Sequence, residues 1–283
     1  MNTNFDHAGQ LVYDQDRDRY LSSLFAKEET RRGVLALYAF NVEIARVREL
    51  VSDPLPGEVR LQWWRDFLEG TAHGSANANP VAAALAETIE TYRLPRAPLT
   101  AMIDARVFDL YNDPMPSLND LEGYCGETAS ALIQLGCLVL NRGEETDTAE
   151  IAGHAGVAYG ICGLLRALPW HAGRGQTYLP ADVLSRHGVD TATVLKGQMT
   201  PELGSALGEM REHVRHHLGR VRARVAEIPS HIAPAFLPLA LVEPFLKRME
   251  KPGFDPFRSP VELSQLRRQW ILWRAARKSG VAL

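Results

Sequence analysis

Cysteine is scarce in this chain of 283 residues: Cys125, Cys137 and Cys162 are the only three, and none is spaced as Cys-x-x-Cys. That excludes a disulfide framework or a cysteine zinc ribbon and suits a reducing compartment. Long hydrophobic runs are missing as well. The longest, residues 232–246, is interrupted by Pro234, Pro238, Glu243 and Pro244, so no stretch of about 18 apolar residues is present and no membrane span is expected. Neither sign of charge dominates; the net charge of −3 gives no general pull toward nucleic acid, and no nucleic-acid partner is expected. The opening MNTNFDHAGQ lacks the basic or apolar stretches of a targeting signal, so a cytoplasmic location is the expectation. Val/Ile/Thr alternation bounded by turn residues, the mark of strands, is also wanting.

What remains is helical. The 46% hydrophobic content is ample for a sizeable core, and no flexible linker divides the chain, so a single all-α domain over residues 1–283 is expected. Helices are predicted over residues 18–26, 28–51, 57–70, 98–111, 118–140 and 148–168, with one or two helical turns at 182–186. Another begins at Pro80 behind the cap Asn79. Leu203, Leu207, Met210, Val214, Leu218, Val221, Val225 and Ile228 form one stripe at three- and four-residue spacing, the clearest helix in the sequence.

Two segments carry the functional signal. Residues 156–180 read GVAYGICGLLRALPWHAGRGQTYLP, and residues 31–50 read RRGVLALYAFNVEIARVREL. Together with Tyr124-Cys125-Gly126-Glu127-Thr128-Ala129-Ser130, they resemble the squalene/phytoene synthase superfamily. Gly156, Ala158, Leu165, Arg166, Arg174, Gly175, Tyr178, Leu179 and Pro180 match the family's second aspartate-rich segment in register, and Ala36, Leu37, Tyr38, Ala39 and Phe40 match the first. The resemblance implies an isoprenoid-synthase-type helical bundle around a central cavity, with the two segments facing across it.

The family's aspartates are what this chain lacks. Their positions in the first segment hold Ala45, Arg46 and Glu49, and those in the second hold Ala167 and His171. Two carboxylates four residues apart share a helix face. Mg²⁺ takes hard oxygen ligands, and ionising an allylic diphosphate requires such metals to neutralise the leaving group. Alanine offers no ligand, and a neutral imidazole suits zinc, copper or iron better than magnesium. The Ser-Phe pair that usually opens the first segment is replaced by Asp18-Arg19. No catalytic residue and no resident metal or cofactor are therefore assigned. Tyr38, Arg46, Glu49, Arg166, His171, Arg174 and Tyr178 stand as ligand-binding candidates. Arg46 and Arg166 offer forks suited to phosphate or carboxylate, or else pair structurally with Glu43 or Glu49.

Three further features each admit two readings. His213, His216 and His217, flanked by five arginines, read as a solvated basic face more than as a metal grip, although His213 and His217 have the spacing for one. Trp63 and Trp64 read equally as a ligand wall or as a pair divided between core and groove. A C-terminal amphipathic helix, about 261–278, groups Leu263, Leu266, Trp270 and Trp273 between Arg267, Arg268, Arg274, Arg277 and Lys278. That composition fits both an interfacial helix on anionic lipid and a last helix docked on the bundle.

The Leu-Arg-Ala-x-Pro-Trp-His run, Gln62-Trp63-Trp64-Arg65 and Leu241-Val242-Glu243-Pro244-Phe245 place the resemblance in the branch containing the mitochondrial complex I assembly factor and its alphaproteobacterial relatives. What that branch implies is a non-catalytic protein acting in respiratory complex I assembly or in binding an isoprenoid or lipid, peripheral to an inner membrane. Its partners would be that lipid, the membrane surface or a respiratory-complex subunit. The alternative is a prenyltransferase that condenses two isoprenyl diphosphates with Mg²⁺ as cofactor.

Overall fold

The computed structural model describes residues 3–72 and 78–277, and every regular element in them is helical. α1 (Thr3–Gln15) and α2 (Arg17–Ser23) lead into α3 (Glu28–Ala45), followed by a 3-10 turn at Val47–Glu49. Next come α4 (Pro54–Glu69), α5 (Pro80–Tyr92) and α6 (Arg96–Ala105), then a second 3-10 turn at Phe108–Leu110. α7 (Leu118–Cys125) passes through a π-type turn (Gly126–Ser130) into α8 (Ala131–Leu140), and α9 (Ala149–Ala172) follows. The rest comprises the short α10 (Ala181–Arg186) and α11 (Thr191–Leu195), the long α12 (Pro201–Arg224), then α13 (Val242–Met249) and α14 (Gln265–Arg277).

Local chemistry sets these boundaries. Asn79 Oδ1 accepts from the amides of Val81 and Ala82, while Pro80 occupies the first turn of α5, where its missing amide is not needed. Thr200 caps α12 by accepting from the Leu203 amide, and the predicted stripe from Leu203 to Val221 is buried throughout. Three expectations shift. The helix predicted over 28–51 stops at Ala45, with Arg46 as its cap. The one predicted over 98–111 stops at Ala105. α9 instead runs past Pro169 to Ala172, although that ring removes one helical hydrogen bond. α1 was not expected; it has only a short apolar face, and Ala8 and Val12 on it are completely buried.

α3 and α9 form the centre. Residues 33–42 of α3 are all buried, which fits a helix apolar nearly all round. α9 is long and apolar enough to cross a membrane by length and composition, but 56% of its most apolar window is buried inside the bundle. Small residues bring α9 close to its neighbours. A Cβ on Gly156 would stand 2.2 Å from the Ser130 amide nitrogen, and one on Gly160 would stand 2.8 Å from Cys125 Sγ. These two positions, four apart and so on one helix face, press α9 against the end of α7 and the π-type turn. One continuous core of buried side chains runs from Ala8 to Ala275.

Candidate functional site

The end of α3 and the middle of α9 face each other across a cleft of about 170 Å³. Asn41 comes from α3, Tyr159, Gly160 and Leu164 from α9, and Arg19, Arg106, Tyr124 and Thr128 complete the walls. Binding pockets for small molecules usually measure about 300–1,000 Å³, so this one is cramped. Beside it, Leu121, Ile161, Leu164, Leu165, Leu168 and Met210 leave only about 10 Å³. Apolar side chains thus fill the space next to the cleft. Three larger depressions include no residue of the candidate set: two of about 580 and 490 Å³ around Lys27, Glu28, Arg32 and Arg142, and one of about 300 Å³ between Gln134 and Ala149.

A buried polar cluster closes one side of the cleft. Asp109 Oδ1 accepts from the hydroxyls of Tyr178 at 2.6 Å and Tyr124 at 2.8 Å, while Arg106 donates to Oδ2 at 3.1 Å. Burial pushes both phenols well above their ordinary pKa, so they remain donors. Tyr178 reaches this position because the chain reverses after α9. Gly175 takes φ +75°, a conformation that glycine tolerates, and Gln176 then donates to the Tyr111 carbonyl at 3.1 Å. The motif spacing from Arg174 to Tyr178 is therefore a turn that returns a tyrosine to the core. Neither Arg106 nor Asp109 was among the sequence candidates; their i, i+3 spacing was the available signal.

A second cluster also borders the cleft. Arg19 bonds Asp16 at 2.7 Å and lies over the rings of Tyr159 and Tyr38 at 4.7 and 5.7 Å. Next to it, Asp18 faces two guanidiniums: Arg268 Nε stands 2.9 Å from Oδ1 and Arg166 3.5 Å from Oδ2. The Arg268 contact is close enough for Coulomb attraction but is not aligned as a hydrogen bond. Burial pushes the Asp18 carboxyl above its usual pKa, even though Arg268 and Arg166 hold it down. The Asp18-Arg19 pair that stands in place of Ser-Phe is thus an internal ion-pair centre.

The seven candidates separate accordingly. Tyr38 and Tyr178 are buried in the two clusters. Arg166 pairs with Asp18 and stacks on Phe245 at 3.8 Å; the expected pairing with Glu43 or Glu49 is incorrect, because the side chain leaves α9 toward α2. Arg46 does pair with Glu49, at 3.4 Å and at the half-exposed rim. Arg174 is exposed, stacked on Trp170 at 4.4 Å. His171 ends α9 with its ring centre 4.7 Å from that of Tyr178. Ala45 and Ala167 are half-buried and contribute no ligand atom. Trp64 is core, packed edge-on to Phe40, whereas Trp63 stacks on Phe67. All three cysteines are buried, with thiols pushed up to about 12, so none is a ready nucleophile.

His171 gives a pH prediction. Burial lowers its imidazole from 6.5 to about 4, with Arg174 acting in the same direction and Asp109 and Glu49 opposing. The unfolded chain takes up the proton first on acidification. This contribution is therefore complete above pH 6.5 and is lost as pH falls toward 4. On the order of 2–3 kcal/mol of stability should disappear over that window. Urea midpoints at pH 7.5 and 4.5 check it: His171→Phe should lose clearly less than wild type, and equal losses would rule the assignment out.

The comparisons with known proteins agree with this geometry. The squalene/phytoene synthase family model matches residues 12–274. Complex I assembly factor 6 of Rattus norvegicus is 32% identical over 253 residues, covering 89% of this chain and 76% of the rat protein, and the Homo sapiens protein is 30% identical over the same shares. A chloroplastic phytoene synthase from Daucus carota is 27% identical across 91% of this chain and 66% of its own length. Among solved structures, a dehydrosqualene synthase with bound ligand superposes at TM-score 0.77 (18% identity, 96% of this chain, 95% of that one). A squalene synthase from Alicyclobacillus acidocaldarius superposes at 0.76 (19% identity, 90% and 96%). The bundle is thus the all-α isoprenoid-synthase fold, and the motif frames, the matched length and the superpositions converge: the chain belongs to the squalene/phytoene synthase family.

Proposed function

We propose that this protein acts in the assembly of respiratory complex I and does not condense isoprenyl diphosphates. The carrying observation is the state of the family's metal positions. Ala45 and Ala167 offer no oxygen, Arg46 and Glu49 neutralise each other at the rim, and Arg166 is tied to Asp18. Beside the cleft, Asp18 is paired with Arg166 and Arg268, and Asp109 already accepts from three protein donors. Mg²⁺ would have to displace these to gain even one ligand there. The residues present do not fit the family's magnesium cluster. Similarity to complex I assembly factor 6 across most of both chains supports the assembly role.

A cleft of about 170 Å³ gives little room for a long isoprenoid, so this reading places lipid contact on the outside, at α14. Leu266, Trp270 and Trp273 are exposed there, with the two indoles stacked at 5.1 Å. Arg267 and Arg274 flank them, and Arg277 lies over Trp273 at 4.7 Å. Aromatic residues among arginines suit an anionic bilayer surface. Two sequence expectations change here. Leu263 is buried ahead of the helix, which docks through Leu272 and Ala275, and Arg268 points inward to Asp18 and so is not part of the solvated flank. Lys278 lies outside the described residues.

The test is genetic and biochemical together. A strain lacking the gene should lose most of its complex I activity while keeping its squalene and carotenoid products. Wild type should restore the activity, and a variant with Glu at 267, 274 and 277 should not. Purified protein should release no pyrophosphate from farnesyl or geranylgeranyl diphosphate with Mg²⁺. Robust release, or an intact complex I in the deletion strain, would overturn the proposal.

A further inference from the structure

Of the three histidines of α12, only His216 lies on the solvated basic face that the sequence context suggests; His213 and His217 turn toward other helices. His217 is only 5% exposed, and its partners come from two other helices. Glu122 of α7 puts Oε1 2.7 Å from His213 Nε2 and 3.6 Å from His217 Nε2. One ligand atom from each of the three residues lies within 4.8 Å of the other two. His213 Nε2 is shielded from solvent and has no aligned hydrogen bond. We propose that Glu122, His213 and His217 bind one divalent transition-metal ion of the zinc class, clasping α7 to α12.

The geometry is near what such an ion needs. Bonds of about 2.0–2.1 Å in a tetrahedron hold ligand atoms about 3.3–3.4 Å apart, so small side-chain rotations complete the site. Two imidazoles and one carboxylate favour zinc, iron or nickel over magnesium or calcium. The site also lies apart from the family's aspartate positions, being built on α7 and α12.

The surroundings orient His217 as a ligand. Its Nδ1 stands 2.9 Å from His154 Nδ1. If Nε2 of His217 faces a metal, its proton is on Nδ1 and is donated to His154. His154 then carries its own proton on Nε2, 4.0 Å from the carboxylate of Glu150. An outer acceptor behind a ligating imidazole fixes its tautomer, and His154 fills that place here. His216 is exposed and belongs to neither shell.

The full-length protein, stripped with a chelator and desalted, should be titrated with Zn²⁺ against a chromophoric competitor, and with Co²⁺ for its visible spectrum. Wild type should bind one equivalent, with intense tetrahedral Co²⁺ bands and a Tm that rises with free Zn²⁺. Glu122→Gln and His213→Gln should each weaken binding by more than tenfold, because loss of a supporting partner alone costs about 10–100-fold. His216→Gln should bind as wild type does. Should His217→Gln fail to fold, the two partly exposed positions still decide the matter. Absence of saturable one-equivalent binding, or equal affinity in wild type, Glu122→Gln and His213→Gln, would overturn the proposal and leave Glu122 as an ion-pair partner only.

Discussion

Asp109→Asn is expected to lower the unfolding free energy by about 3–5 kcal/mol, a typical cost of breaking a buried ion pair from one side. The substitution keeps the shape and removes the charge. Arg106, whose side chain is 16% exposed, then has no anion beside it. Tyr124 and Tyr178, which share one carboxylate oxygen, would have to share the weaker acceptor of an amide. The denaturant midpoint should fall with an unchanged slope. Adding Arg106→Leu should recover a large part of the loss, since an unpaired buried cation is worse than no charges at all. A single variant within about 1 kcal/mol of wild type, the effect of an ordinary substitution, would count against the cluster as the anchor of the cleft. So would a double variant no better than the single one.

The contrast between fold and site in legibility has a physical cause. Caps and apolar periodicity are local, so Asn79-Pro80 and the α12 stripe announced their helices directly. Gly156 and Tyr178 were legible as motif members, but their reasons lie in tertiary contact: one admits the Ser130 backbone, the other completes the Asp109 shell. Ion-pair partners are less legible still. Arg166 was read against Glu43 and Glu49 because those acids lie in the facing motif, yet its partner sits in α2. Arg268 looked like one more surface arginine because the basic residues flank the tryptophans on both sides, and only the docking of Leu272 and Ala275 turns it inward. The histidines of α12 were masked by arginines in the same way, since Glu122 and His154 reach them from α7 and α9.

The Asp18 centre carries the second large effect. Asp18→Ala should cost about 3 kcal/mol, near the low end for a buried pair because Arg166 is 27% exposed and has some access to water. The loss should concentrate at the C-terminal end. Asp18 in α2 and Arg268 in α14 are 7% and 13% exposed and form the polar tie between these helices. Beyond it, α14 is held mainly by Leu272 and Ala275, its fully buried residues. With the carboxylate gone, Arg166 and Arg268 repel each other across the space it occupied, and the lower-cost response is for α14 to lift away. Limited proteolysis should then cut near residue 264 at low urea, with a change in Trp270 and Trp273 fluorescence, before the remaining helices unfold. Arg268→Met added to Asp18→Ala should restore protection by relieving the repulsion while keeping an apolar stem. An Asp18→Ala protein whose α14 resists protease as well as wild type would show that Leu272 and Ala275 hold the helix alone. The ion pair would then be a consequence of docking and not its cause.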